Sequence, residues 1–188
     1  MSPAAVDFAL WGAWLVYWAV AARGAAPAQW TESRLSRLAH VAPLCAAAIL
    51  LSVNSEPLGA LSSRWLPLGL GWAWAGVLIT AAGLAFSVWA RVHLGRNWSA
   101  EVQLKEGHRL IRGGPYALAR HPIYTGVLGG FLGSAVAIGE WRGLAALALA
   151  FVAFLLKSRR EEAALRGRFG AEYDAYRGRV KALIPFVF

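Results

Sequence analysis

Five apolar runs dominate this chain, at about Val6–Ala22, Leu38–Val53, Leu66–Val92, Ile123–Gly139 and Gly143–Leu156. Each comes near the roughly 20 residues that cross a hydrocarbon core, the last being short. Lipid offers no water to backbone N–H and C=O groups, so such runs fold as helices that close their hydrogen bonds internally. With 58% hydrophobic residues, ten tryptophans in 188 residues and a mean hydropathy of +0.47, the chain carries more apolar surface than a soluble domain of this size needs. The expected fold is therefore all-α, an integral-membrane bundle of about five transmembrane helices. The first run contains Asp7 and has no Lys or Arg ahead of its apolar core, so it is read as a membrane helix and not as a secretory leader.

A formal net charge of +9 suggests nucleic acid until the charges are placed. Three Lys or Arg residues lie between Arg23 and Arg37, six between Arg91 and Arg120, and eight from Lys157 onward, which makes 17 of the 19. These segments fall on one side of a five-helix chain, and the other side holds only Arg64 and Arg142. That is the positive-inside pattern. It puts the N-terminus outside and the C-terminus in the cytoplasm, as in a protein of a prokaryotic inner membrane. The excess charge then faces membrane lipids and cytoplasm, and no nucleic-acid partner is expected. Cys45 is the only cysteine, so neither a disulfide within the chain nor a cysteine metal cluster is possible.

The chain divides into residues 1–90, which hold the first three helices, and residues 91–188, which hold the chemistry. In the first part, "TESRLSRLAH" reads as an amphipathic stretch at the interface. In the second, "GEWRG" is short enough to force the fourth and fifth helices into an antiparallel hairpin. Gly126 with Gly130, and Gly129 with Gly133, place small residues at the spacing that lets membrane helices approach closely. Soluble-looking sequence is confined to residues 91–121 and 157–188. Both segments flank the hairpin on the cytoplasmic side and must meet there, so a cofactor pocket is expected between them.

Gly113, Gly114 and Pro115 signal a turn. Pro122 biases His121 away from helix and suits the first turn of the next one, which puts Arg120 and His121 at a helix entrance. Unpaired amides there favour an anionic group, Arg120 is able to pair one, and the faces of Tyr116 and Tyr124 suit a flat or cationic ligand. In the tail, Lys157 and Glu161 are four residues apart and share a helical face. The run "RREE" reads as a solvated run of paired charges or, because it emerges from a membrane helix opposite the His-Pro turn, as a source of one carboxylate aimed into a cavity.

Taken together, "GPYALARHPIYTG", the apolar hairpin and "EEAALRGRFGAEYDAYRGRVKALIP" resemble the isoprenylcysteine carboxyl methyltransferase family, and more loosely the phospholipid methyltransferases. The likeness covers residues 91–188. It implies an integral-membrane enzyme that uses S-adenosyl-L-methionine without a Rossmann domain. By motif it implies a cofactor site from Gln103, the segment His108, Arg109, Leu110 and Ile111, then Tyr116, Arg120, His121, Pro122, Ile123 and Tyr124, with Glu161 and Glu162 contributed by the tail. Eukaryotic members carry an arginine four residues before that glutamate, where it contacts the substrate carboxylate. This chain has Lys157 there, with Arg159 and Arg160 as substitutes.

The implied acceptor is lipophilic, either prenylated or a small isoprenoid acid, and enters sideways from the bilayer. An ionised carboxylate is already a nucleophile, so the protein has to align it, strip it of water and keep a cation beside it. A phenol, amine or thiol would instead need a base, for which His121 and Glu162 are the candidates. The alternatives are a membrane reductase of the sterol-reductase type using NADPH, whose members share an R-H-P-x-Y pattern but are longer, and a non-enzymatic scaffold or transporter.

Overall fold

The computed structural model describes residues 1–23, 34–53, 56–95 and 110–188. Among these residues the fold is helical: α1 (Pro3–Ala22), α2 (Arg34–Ser52), α3 (Leu70–Leu94), α4 (Pro122–Ile138), α5 (Trp141–Phe169) and α6 (Ala171–Arg179). Five of the six correspond to the five apolar runs. Helices α1, α3 and α5 are long and apolar enough to cross a membrane unaided, whereas Arg37–Ser52 and Pro122–Ile138 are shorter. The protein is an integral-membrane helical bundle.

Two boundaries differ from the sequence expectation. From Arg34 on, the amphipathic stretch forms the opening turns of α2, which therefore starts ahead of the apolar run. The fifth run looked short because hydropathy ends before the helix does. Lys157–Phe169 are good helix formers and extend α5 without a break to 29 residues, about 43 Å at the α-helical rise. The last three turns of α5 thus stand beyond its apolar part.

The close approach is made by α3 and α4, which pack antiparallel. A Cβ at Gly133 would lie 2.2 Å from the backbone nitrogen of Thr80, and one at Gly126 would lie 2.5 Å from that of Ser87. Each helix supplies glycines seven residues apart, Gly76 and Gly83 on α3 against Gly126 and Gly133 on α4. Helix α2 packs on α5, and α1 lies against α3 and α4. Although α1 buries none of its residues, it is tied in by hydrogen bonds. The Trp11 indole donates to Ser134 Oγ (2.9 Å), Trp14 donates to Ser87 Oγ (2.7 Å), and Ser134 donates to Asp7 (2.8 Å). A core of Val127, Phe131, Ala146, Ala150 and Phe154 lies between α4 and α5.

The two arginines that break the charge partition are both used in structure. Arg142 donates to the carbonyls of Leu50 (2.9 Å) and Val53 (2.7 Å) at the end of α2, and to Glu140 (2.7 Å). Arg64 donates to the carbonyl of Leu66 (3.0 Å), and its guanidinium lies 4.0 Å from Glu140. This knot closes the hairpin end of the bundle. Gly139 turns the chain there with φ 67.

Candidate active site

The site is built where the turn before α4 meets the projecting end of α5. Gly114, at φ 59, opens the 3-10 turn Gly114–Ala117, as the Gly-Gly-Pro signal anticipates. The carbonyl of Tyr116 accepts from the Tyr176 hydroxyl (2.6 Å). The chain then runs beside the tail. The Arg120 amide donates to the carbonyl of Lys181 (2.8 Å), the His121 amide to that of Ala182 (3.0 Å), and the Thr125 hydroxyl to that of Leu183 (2.6 Å). The amides of Arg120 and His121 are therefore engaged by the chain itself. Arg120, expected to pair an anionic ligand group, spends its guanidinium on Glu162 Oε1 (2.6 and 2.9 Å) and on the carbonyl of Val180 (2.5 Å). It latches the turn to the tail.

His121 is 6% exposed and lies between two carboxylates. Its Nδ1 is 3.3 Å from Glu161 Oε2, and its Nε2 is 3.2 Å from Glu162 Oε1. Adjacent residues on a helix point about 100° apart, which is why neighbouring glutamates reach opposite edges of one ring. Burial alone would push the imidazole pKa down. The hydrogen bonds and charges of Glu161 and Glu162 outweigh it and hold the group above the ordinary histidine value of 6.5. The same balance runs in reverse for the acids. Desolvation raises both, but hydrogen bonds from His121, helped by Lys157 and Tyr124 at Glu161 and by Arg120 at Glu162, bring both below the ordinary 4.5. The two carboxylates thus engage both ring nitrogens of His121 and favour its protonated form.

Glu161 also accepts from the Tyr124 hydroxyl at 2.5 Å. The Tyr124 ring is stacked between His121 (centroids 5.6 Å apart) and Phe154 (4.7 Å), and Lys157 Nζ stands 5.5 Å from its centroid. Burial raises the pKa of the Tyr116 phenol, with the Glu161 charge adding to the effect, so this hydroxyl stays neutral.

These groups face a cavity of about 1370 Å³ that runs the length of α1, from Ser2 to Ala22. Tyr116, Arg120, His121, Pro122, Ile123, Tyr124, Lys157 and Glu161 line its end. Its flanks are apolar, with Trp14 and Trp18 of α1 on one side and Leu44 and Leu51 of α2 on the other. The remaining expected residues lie elsewhere. Glu162 and Arg159 line a separate small pocket round the side of α5. Arg160 is half-buried, as are Leu110 and Ile111, and none of the three lines the cavity. Gln103, His108 and Arg109 lie outside the described residues.

Sequence reasoning did not single out Phe154, Tyr176 or Arg177. Phe154 stacks on Tyr124, Tyr176 holds Tyr116, and Arg177 Nε is 3.7 Å from Glu162. The quoted F-G-x-x-Y-x-x-Y motif was the available signal for Tyr176, and its tyrosines at 173 and 176 are both buried.

Comparison with known proteins fits this arrangement. Residues 74–166 match the isoprenylcysteine carboxyl methyltransferase family, a stretch that includes every residue just named at the cavity end. The chain belongs to this family. A rice protein (Oryza sativa subsp. indica) described as a probable protein-S-isoprenylcysteine O-methyltransferase is 31% identical over 120 residues, covering 61% of this chain and 62% of that one. Protein-S-isoprenylcysteine O-methyltransferase B of Arabidopsis thaliana is 32% identical over 103 residues, 52% of this chain and 51% of its own. The Schizosaccharomyces pombe protein-S-isoprenylcysteine O-methyltransferase is 34% identical over 103 residues, 52% of this chain and 43% of its own. The matched part thus spans from about two-fifths to about three-fifths of each relative. The solved structure of a eukaryotic intramembrane Ras methyltransferase aligns with a TM-score of 0.54 at 24% identity, covering 85% of this chain and 55% of that one. That likeness establishes the fold, a membrane helical bundle in both.

Proposed function

We propose that this protein methylates a carboxylate on a lipophilic acceptor, with S-adenosylmethionine as donor. The observation that carries this reading is the clamping of His121 between Glu161 and Glu162. Both ring nitrogens of His121 are engaged by these carboxylates, which leaves neither free to take a proton from an acceptor. A phenol, amine or thiol acceptor requires a base, whereas a carboxylate requires none. The family relatives bear names that specify methyl transfer to isoprenylcysteine, which agrees with the site chemistry.

The residues suit the donor. S-adenosylmethionine, when bound, supplies an electrophilic methyl group on a sulfonium. Glu161 presents a carboxylate at the cavity wall for a cationic or hydroxyl-bearing partner, and the stacked Tyr124 and the buried Tyr116 supply aromatic surface. Lys157 lies one helical turn from Glu161 on the same wall, the position of the acceptor-binding arginine in eukaryotic members. As an ammonium it attracts a carboxylate without the bidentate fork of arginine. Arg159 lines another pocket and Arg160 does not line the cavity, so Lys157 takes this role. The apolar flanks of α1 and α2 receive the acceptor's tail from the bilayer and keep water from its head.

Purified protein is expected to bind labelled S-adenosylmethionine and not NADPH. Binding of NADPH alone would support the reductase alternative and overturn this reading.

A further inference from the structure

Outside the cavity, a second pocket of about 400 Å³ opens beside α5. Its polar wall carries Arg159, Arg177 and Lys181, and its apolar wall consists of Leu155, Val187 and Phe188. Glu162 and Arg120 also line it, but they satisfy one another at 2.6 Å. Among the described residues, Arg159 and Lys181 have no carboxylate partner, and Arg177 reaches Glu162 only at 3.7 Å. The polar wall of the pocket therefore carries an excess of positive side-chain charge.

The apolar wall continues into the membrane. Leu155 belongs to the apolar part of α5, and the Phe188 ring lies 6.0 Å from that of Phe151, one turn deeper. The turn at residues 184–188 is closed by bonds between Ile184 and Phe188 in both directions (2.8 and 3.0 Å). It holds Phe186 at φ 66, in the left-handed region that non-glycine residues rarely occupy. Phe186 and Val187 are nevertheless 82% and 72% exposed. Exposed apolar side chains next to the end of a membrane-spanning segment belong in the acyl and headgroup boundary, which sets the three cations at headgroup height.

We propose that this pocket seats the headgroup of an anionic phospholipid, with phosphate on Arg159, Arg177 and Lys181 and acyl chains along Leu155, Phe151 and Phe188. A zwitterionic lipid brings its own cation and gains less. The pocket lies outside the cavity, shares Arg120 and Glu162 with the clamp around His121, and does not rest on methyl transfer. Arg177, Lys181 and Phe188 all lie past residue 166, where the family match ends.

The test uses the full chain, stripped of lipid in neutral detergent and titrated with phosphatidylglycerol, phosphatidylcholine or inorganic phosphate, with bound species counted by native mass spectrometry. One phosphatidylglycerol per chain is expected to be held in preference to phosphatidylcholine. Arg177→Gln and Lys181→Gln should each weaken it about fivefold, the equivalent of roughly 1 kcal/mol per cation. Lys181→Arg should restore it. Arg166→Gln combined with Arg168→Gln removes the same charge elsewhere on the tail and should leave binding as in the parent. Retention of the lipid by the Arg177→Gln/Lys181→Gln protein, equal loss in the Arg166/Arg168 control, or displacement by inorganic phosphate as readily as by lipid would each overturn the proposal.

Discussion

His121 fixes what the site can do with a proton, and its pH dependence follows from its neighbours. Its folded pKa is raised, so the stability it contributes is fully present below 6.5 and is lost as pH rises through the higher folded value. Glu161 and Glu162 are lowered, so theirs is present above 4.5 and is lost as pH falls through the lower folded values. Thermal stability in detergent should therefore be flat between 4.5 and 6.5 and fall on both sides, and His121→Gln should abolish the alkaline fall. An unchanged alkaline limb in His121→Gln would assign it to another group. Glu161→Gln removes a charged partner from the cavity wall and should weaken S-adenosylmethionine binding tenfold or more, on the order of 1.5–3 kcal/mol. Lys157→Ala should lower turnover far more than cofactor affinity, and Lys157→Arg should be tolerated better. Equal turnover in Lys157→Ala and the parent would remove Lys157 from acceptor binding.

At this scale the sequence disclosed the residue types more readily than their pairings. R-H-P-x-Y and the two glutamates stand out as motifs, and a shared face for Lys157 and Glu161 follows from their spacing. What does not follow is that Glu161 and Glu162 straddle one imidazole, because that depends on how α5 is rotated against the turn before α4. Arg120 was open to a ligand on paper. Only the course of the tail, which brings the Val180 carbonyl to it, shows that it is a latch.

Among the elements, α5 and the α3–α4 pair carry the most consequence. Hydropathy marks where α5 leaves its apolar surroundings, not where it stops. The continuation holds Glu161 and Glu162 on a rigid rod. The glycine spacing on α4 was visible as a packing motif, but its partner was not, since Gly76 and Gly83 sit in an apolar run with no pattern of their own. The contact makes a sharp prediction. Gly133→Leu places a side chain where backbone lies at 2.2 Å and should lower folded yield, an overpacking cost of about 1–3 kcal/mol or more. Gly71→Leu on α3, with nothing within 4 Å, should be tolerated. Size-exclusion profiles in detergent compare the two, and equal behaviour would mean that α3 and α4 do not pack this closely.

At the scale of the whole molecule, the distribution of basic residues predicts an orientation. The charge partition predicts a cytoplasmic site, and the hairpin-end knot engages both exceptions, Arg64 and Arg142. Cysteine-accessibility labelling at an added Gly107→Cys should succeed only from the cytoplasmic side. Labelling from the outer side alone would reverse the orientation. Under the proposed function and that orientation, a polar donor would arrive from water and an apolar acceptor between α1 and α2, to meet at Tyr124, Lys157 and Glu161. With both His121 ring nitrogens engaged, the proposed acceptor is a carboxylate, which needs no base. The direct measurement offers labelled S-adenosylmethionine and a matched set of lipophilic acceptors, one prenyl tail ending in a carboxylate, a thiol or a phenol, to the purified protein in lipid. Label is expected in a base-labile methyl ester of the carboxylate, reduced in Glu161→Gln. Methylation of the thiol or phenol with none of the carboxylate would contradict it.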